Sequence, residues 1–514
     1  MKTPKYILLI LLLAVLGGQI ASAAEFKLAS VFNDHAVLQR DAPVPVWGWA
    51  EAGAEVAVEF AGQKKTAIAD ANGKWLVKLD ALKASAEPCT LTVTEAKATS
   101  PILVNDILVG EVWLGSGQSN MAMVVDMAKD GAKERRAANL PLVRMYKMPA
   151  ASAETAQPDS TGAWVVCAPD TVGTFSATLF FFGREIHQAL GVPVGLISSS
   201  VGGSPIEAWI APEAQHKSKE LTPYFDVREQ AREAALSPEA VKPYEHALAR
   251  WEIAAQKARS ENQPVPRKPR SPTVAQARRD RNAVIGGFFN GMIAPLIPYA
   301  IRGSIWYQGE GNTQPAKAVF YQYQLPLLVN DWRARWGYDF PFAWVQLPNF
   351  RGEGDGWSMI REAMLKTLVL PKTGMSVNID IGEENNIHPK NKQEIGRRLS
   401  LWALGDVYEQ KVAAISGPLP AGHKIRDGKM VLSFSHADGG LVAKDGGLKG
   451  FVIAGDDKKW QPAQAHIEGS KVIVFSSDVK QPVAVRYAWE NFPDCNLYNA
   501  AGLPASPFRT DDWK

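Results

Sequence analysis

Cysteine is scarce in this chain of 514 residues, with Cys89, Cys167 and Cys495 the whole supply. Three scattered thiols make no disulfide framework, although an exported chain could pair two of them. The eight histidines are dispersed, and no Cys/His cluster has zinc spacing. Metal chemistry is therefore not expected. Net charge is equally small, +3 from 56 Lys and Arg against 53 Asp and Glu, which argues against nucleic acid or an anionic membrane as the main partner. Low-complexity tracts are missing, and after residue 23 no apolar run is long enough to span a bilayer.

The one long apolar run is N-terminal. Lys2 and Lys5 precede an apolar stretch at 7–16, and Ala21-Ser22-Ala23 fits the small-residue cleavage rule, so residues 1–23 are read as a secretory signal. The expected location is secreted or periplasmic. The length predicts two to four domains. Sixteen tryptophans are many; exposed ones could stack on sugars, but core filler is the commoner role.

Residues 24–105 alternate in short β runs around an Asn72-Gly73 turn, which predicts a small β-sandwich. From Asp106 strands alternate with helices, the pattern of a parallel sheet. Strands are expected at 106–114, 192–198, 301–307, 341–347 and 374–380. Helices are expected at 121–136, 176–190, 288–296, 318–336, 358–370 and 392–404. A helical insertion at 213–281, ending in a basic proline-rich arm, interrupts the alternation. From about residue 411 the β pattern returns.

Three of those strands end in unusual polar turns: Gly117-Gln118-Ser119, Gly202-Gly203, and Gln308-Gly309-Glu310. A fourth loop carries His388. Parallel strands aim their C-terminal ends at one edge, where open α/β sheets bind ligands. Acyl transfer by serine needs a nucleophile, a base within hydrogen-bond reach and N–H donors for the oxyanion. Ser119, His388, the N–H groups of Ser119 and of one glycine, and the Gln308 amide fill these roles. The last glycine of G-x-S-x-G is missing around Ser119, which argues against an α/β-hydrolase elbow.

Gly-Gln-Ser-Asn-Met (117–121), Gly-Gly-Ser-Pro-Ile-Glu-Ala-Trp (202–209), Trp-Tyr-Gln-Gly-Glu (306–310) and Ile-His-Pro-Lys-Asn-Lys-Gln-Glu (387–394) together resemble the sialate O-acetylesterases of the SGNH (GDSL-like) hydrolase superfamily. Residues 31–35, 289–296, 496–499 and 508–511 extend the resemblance over essentially the whole mature chain. It implies a three-layer α/β/α esterase domain at 106–410, flanked by the 24–105 sandwich and a β-rich domain at 411–514. It also implies cofactor-free hydrolysis of O-acetyl esters on sialic acid, with acetylated plant polysaccharides such as acetyl-xylan as the rival substrate. A catalytically dead carbohydrate-binding protein is the rival from another class. On the matching positions Ser119 is the nucleophile, His388 the base, and Gly202 and Gln308 oxyanion donors.

One position departs from the superfamily pattern. Its aspartate two or three residues before the histidine is replaced by Asn386 and Asn385. Glu383, Glu384 or Asp380 could swing in, Asn385 could orient the ring, a backbone carbonyl could hold His388 in a Ser–His dyad, or the enzyme could be weak; the dyad is preferred. Gln118, Gly203, Trp209, Glu310 and Arg361 are the candidate substrate contacts; Trp209 could stack on a sugar or equally anchor the Gly202 turn, Arg361 could pair with a carboxylate of the substrate or equally with Glu362 or Glu310, and Glu310 could instead orient Gln308.

Overall fold

The structure is a computed structural model describing residues 25–269, 271–352 and 356–513. The expected signal at 1–23 lies outside the described residues. The fold is mixed α/β with several sheets, and its axis is the 16-residue strand Ile102–Gly117. The first part of that strand pairs antiparallel with Ser85–Glu95, and the last part runs parallel between Val194–Ser200 and Gly303–Tyr307. Asp106, at φ 53°, lies where the register of the antiparallel pairing shifts, between Val104 and Ile107, with Arg144 and His35 on its carboxylate. The expected domain limit near residue 105 thus falls inside one continuous strand.

Across the central sheet the strands run Ala163–Cys167, Leu140–Lys147, Val194–Ser200, Ile102–Gly117, Gly303–Tyr307, Phe342–Val345 and Thr373–Ser376. All neighbouring pairs are parallel except the antiparallel first pair. Side chains alternate between two cores, as the period of a strand requires. Leu114, Trp306, Phe342 and Trp344 pack with Leu325, Leu328 and Trp332 of the helix Tyr321–Trp336. Trp113, Ile305, Ala343 and Val345 pack on the other side with Phe181 and Phe182 of Ala177–Leu190, and with Ile395 and Leu399 of Lys392–Trp402. Each such fully buried side chain contributes roughly 2–3 kcal/mol. Eleven of the sixteen tryptophans are buried, so most of them are core filler.

Small antiparallel sheets lie on either side in sequence. Lys27–Leu28, Val44–Trp49 and Lys74–Leu79 form one before the central strands. Beyond residue 411, two four-stranded sheets and a strand pair follow. Near the C-terminus the short strand Phe508–Arg509 joins one of these.

Two expected helices are broken. Instead of 121–136, one turn at Ser119–Ala122 is followed by a 3-10 turn at Val125–Met127 and a short helix at Gly131–Ala137. Val124 is drawn into a bridge with Ser176, whose hydroxyl takes the Met121 carbonyl at 2.6 Å. That long-range contact overrides local propensity. Residues 288–296 form a π turn and a 3-10 turn. The insertion is helical as expected, in Pro212–Lys217, Thr222–Ala235, Pro238–Ser260 and Pro272–Asn282. Its proline-rich arm folds back, with the Pro266 carbonyl accepting from Trp251 Nε1.

Candidate active site

Ser200, Gly117 and Tyr307 are register partners at the C-terminal ends of three adjacent strands. The three polar turns that follow therefore start side by side. Gly117 has φ 136°, and a β-carbon there would sit 2.1 Å from the Tyr307 carbonyl oxygen. Glycine is required, because only it lets the chain turn this sharply against its neighbour. Ser119 follows at the first position of a helical turn, partly exposed.

His388 arrives from the loop after Thr373–Ser376 and sets its Nε2 2.8 Å from Ser119 Oγ. This is the hydrogen-bond distance that a serine nucleophile and a histidine base would need. Gly202 comes up beside the serine, since a β-carbon there would lie 3.6 Å from that of Ser119. Among the described residues, the N–H groups of Ser119 and Gly202 have no hydrogen-bond acceptor. They are free donors next to the hydroxyl, as an oxyanion hole requires. The neighbouring Gly203 is exposed and remains available to a ligand.

Gln308 does not fill its expected role as an oxyanion donor. Its amide is fully buried and donates to Asn312 Oδ1 at 2.8 Å, and to Gln118 Oε1 and the Ser204 carbonyl at 3.2 Å each. Its own Oε1 accepts from Tyr321. With both N–H bonds taken inside the protein, Gln308 ties the three turns together from beneath. Gln118 is likewise structural rather than substrate-binding: its buried Oε1 also accepts from the Gly311 N–H at 3.0 Å.

The expected sugar contacts Trp209 and Arg361 are also corrected. Trp209 is completely buried and donates to Ser204 Oγ at 2.9 Å, so it anchors the Gly202 turn and shows no face to solvent. Arg361 is completely buried too, and its guanidinium donates to the carbonyls of Leu347, Pro348, Glu490 and Asn491. Burial pulls its pKa down to about 9. It pins two loops together and is out of reach of a ligand.

No described residue reaches Nδ1 of His388. Asn386, at one of the usual aspartate positions, spends its side chain on the histidine backbone: Oδ1 accepts from the His388 N–H, and Nδ2 donates to the His388 carbonyl and to Glu383. Glu383 also accepts from the Lys390 N–H. Glu384, expected as a possible orienting group, pairs with Arg351 instead, and Asp380 is held by Arg398 and Tyr498. Asn385 is exposed and makes no such bond. Among the described residues, Ser119 and His388 thus stand as a pair without a third member. Burial, and then the positive charge of Lys392, hold His388 below the usual imidazole range.

Two residues not singled out from the sequence complete the centre. Asn120 donates to Glu310 Oε1 at 2.5 Å and to the Ile387 carbonyl at 2.9 Å, and accepts from Lys392 Nζ at 2.6 Å. It thereby links the serine turn to the histidine loop. The carboxyl group of Glu310 is buried, which raises its pKa, so Glu310 belongs to this network rather than to a substrate surface. Lys392 is buried and pulled down to about 7 by desolvation. Both lie inside the motifs around Ser119 and His388; a polar residue on the buried face of an amphipathic helix was the available signal for Lys392.

Among the described residues no group of acidic, histidine or cysteine side chains is arranged to hold a metal ion, and the three cysteines are free thiols. No helix there is long and apolar enough to cross a membrane.

Comparison with known proteins agrees with this chemistry. The family described as "Carbohydrate esterase, sialic acid-specific acetylesterase" matches residues 109–258 and 290–403, just over half of the chain. The sialate O-acetylesterase of Mus musculus is 28% identical, with 99% of this chain and 98% of that protein aligned. The Homo sapiens sialate O-acetylesterase is 27% identical over 99% of this chain and 97% of its own length. A crystal structure of a carbohydrate acetylesterase from Xanthomonas citri is 36% identical and superposes with a TM-score of 0.80, covering 95% of this chain and 100% of its own. The chain belongs to the carbohydrate esterase family of sialic acid-specific acetylesterases and is a carboxylic ester hydrolase.

Proposed function

We propose that this protein removes O-acetyl groups from sialic acids through an acetyl-enzyme on Ser119. The observation that carries the reading is the 2.8 Å contact between His388 Nε2 and Ser119 Oγ beside two free backbone N–H groups. His388 Nε2 takes the hydroxyl proton as Ser119 Oγ adds to the acetyl carbonyl. The tetrahedral oxyanion is held by the N–H groups of Ser119 and Gly202. As the intermediate collapses, His388 returns the proton to the departing sugar oxygen. Water, deprotonated by the same imidazole, then releases acetate and restores the serine. Burial and the charge of Lys392 favour the neutral form of His388, the form able to accept a proton.

The two-sided core around a parallel sheet supports an SGNH-type three-layer esterase domain at 106–410, between a 24–105 sandwich and a β-rich 411–514 region. The 1–23 pattern supports export to the periplasm or medium.

Acetate release from 9-O-acetylated sialic acid by the mature protein, run beside acetyl-xylan and the Ser119→Ala variant, tests the function. Release from the sialate, lost in the variant, is expected. Release from xylan alone would move the substrate, and full activity without the Ser119 hydroxyl would sink the mechanism.

A further inference from the structure

The helical insertion does more than interrupt the esterase core. A cavity of about 420 Å³ lies between its helices and the turn after Gly303–Tyr307, within the size range of small-ligand sites. Ala283 forms one wall, and Asn282 beside it donates to the Gly202 carbonyl at 3.1 Å. Gly311 forms the opposite wall, and its N–H is bound to Gln118, the residue before Ser119. The cavity is therefore attached on both sides to the corner that carries the nucleophile.

Its charge is uneven. Among the described residues that line it, Arg228 and Arg232 from the insertion stand against the acid Asp280. Arg232 is neutralised by Glu229 and Asp280. Arg228 is different: half-buried, it gives an N–H to the Ala283 carbonyl and has no carboxylate within ion-pair distance among the described residues. A guanidinium has five N–H donors in a rigid fork, and a partly desolvated one without a counter-charge is suited to a carboxylate from outside. The Gln314 side chain adds a neutral polar group of the kind that meets sugar hydroxyls.

We propose that this cavity is the specificity site of the enzyme, with Arg228 pairing with the carboxylate of an acidic sugar while the acetyl group lies at Ser119. The proposal rests on the sialate reading above and explains how the chain would tell that substrate from a neutral acetylated polysaccharide, which offers Arg228 nothing. In a sialic acid the carboxylate and the glycerol tail leave the two carbons that flank the ring oxygen, so the ester on the tail and the charged group are separate handles of one molecule.

The test uses the mature enzyme and its Arg228→Gln and Arg228→Lys variants on three esters: 9-O-acetylated sialic acid, its carboxyl methyl ester, and p-nitrophenyl acetate. For Arg228→Gln, kcat/KM on the acid relative to p-nitrophenyl acetate should fall about ten- to a hundredfold, the loss of a charge-assisted pair, carried by a rise in KM. Arg228→Lys should recover part of it, and the wild type should lose a similar factor on the methyl ester. An unaltered ratio in Arg228→Gln, or equal use of acid and methyl ester by the wild type, overturns the proposal while leaving the sialate reading intact. A wild type that cleaves p-nitrophenyl acetate but neither sialate ester overturns both.

Discussion

Lys392 Nζ donates to Asn120 Oδ1 across 2.6 Å, next to the hydrogen-bonded pair Ser119 and His388. Asn120 follows Ser119 in sequence and holds the Ile387 carbonyl, next to His388. A buried cation therefore braces the nucleophile turn and the histidine loop at once. Its partly buried neighbour Glu310 and the ring of Tyr307, 4.9 Å from the ammonium, offset some of the desolvation.

That arrangement sets a pH dependence. His388 accepts a proton only when neutral, and burial together with Lys392 shifts it below its usual 6.5. The acidic limb of kcat/KM should consequently lie below pH 6.5. Removing the charge in Lys392→Met should let the imidazole hold its proton more tightly and move the limb to higher pH. A pH–rate profile in which the limb does not move would show that Lys392 has no electrostatic hold on the base.

Ser119→Ala should reduce turnover by roughly a thousandfold or more while preserving the fold, since only a hydroxyl is lost. Hydrolysis of p-nitrophenyl acetate and labelling by a fluorophosphonate read this directly. Persistent labelling of the alanine variant would point to another nucleophile.

Restoring the aspartate of the superfamily pattern should not improve this enzyme. In Asn386→Asp the donor to Glu383 and to the His388 carbonyl disappears, and two carboxylates face each other. A loss of about 1–2 kcal/mol in urea denaturation is expected, with lower activity. A gain in kcat would mean that the new carboxylate had reached the imidazole.

Arg361→Met should cost about 3 kcal/mol of stability, because four backbone carbonyls lose a charged donor in a dry site. The effect should appear in the denaturation midpoint and not as a selective rise in KM. A folded variant of normal stability with KM raised only for acidic sugars would return Arg361 to the substrate site.

Gly117→Ala should disrupt the corner itself. At φ 136°, with the Tyr307 carbonyl in the way, the turn must open to accept a methyl group. Activity should fall far more than stability, as measured by kcat beside thermal unfolding.

The amino-acid sequence by itself determined the alternating strands, the parallel sheet edge, and the pairing of Ser119 with His388. Each of these follows from local signals: apolar periodicity, glycine at a turn, and a short motif. Tertiary structure alone decided where the long polar and cationic side chains point. Gln308 and Gln118 turned inward because the backbone groups of three converging turns needed partners. Arg361 and Trp209 were buried because loops distant in sequence closed over them. The 121–136 helix broke because Ser176, more than fifty residues away, captured the Met121 carbonyl. A polar residue beside a motif looks alike on paper whether it faces ligand or core, since the deciding partners are supplied by segments that folding alone brings together.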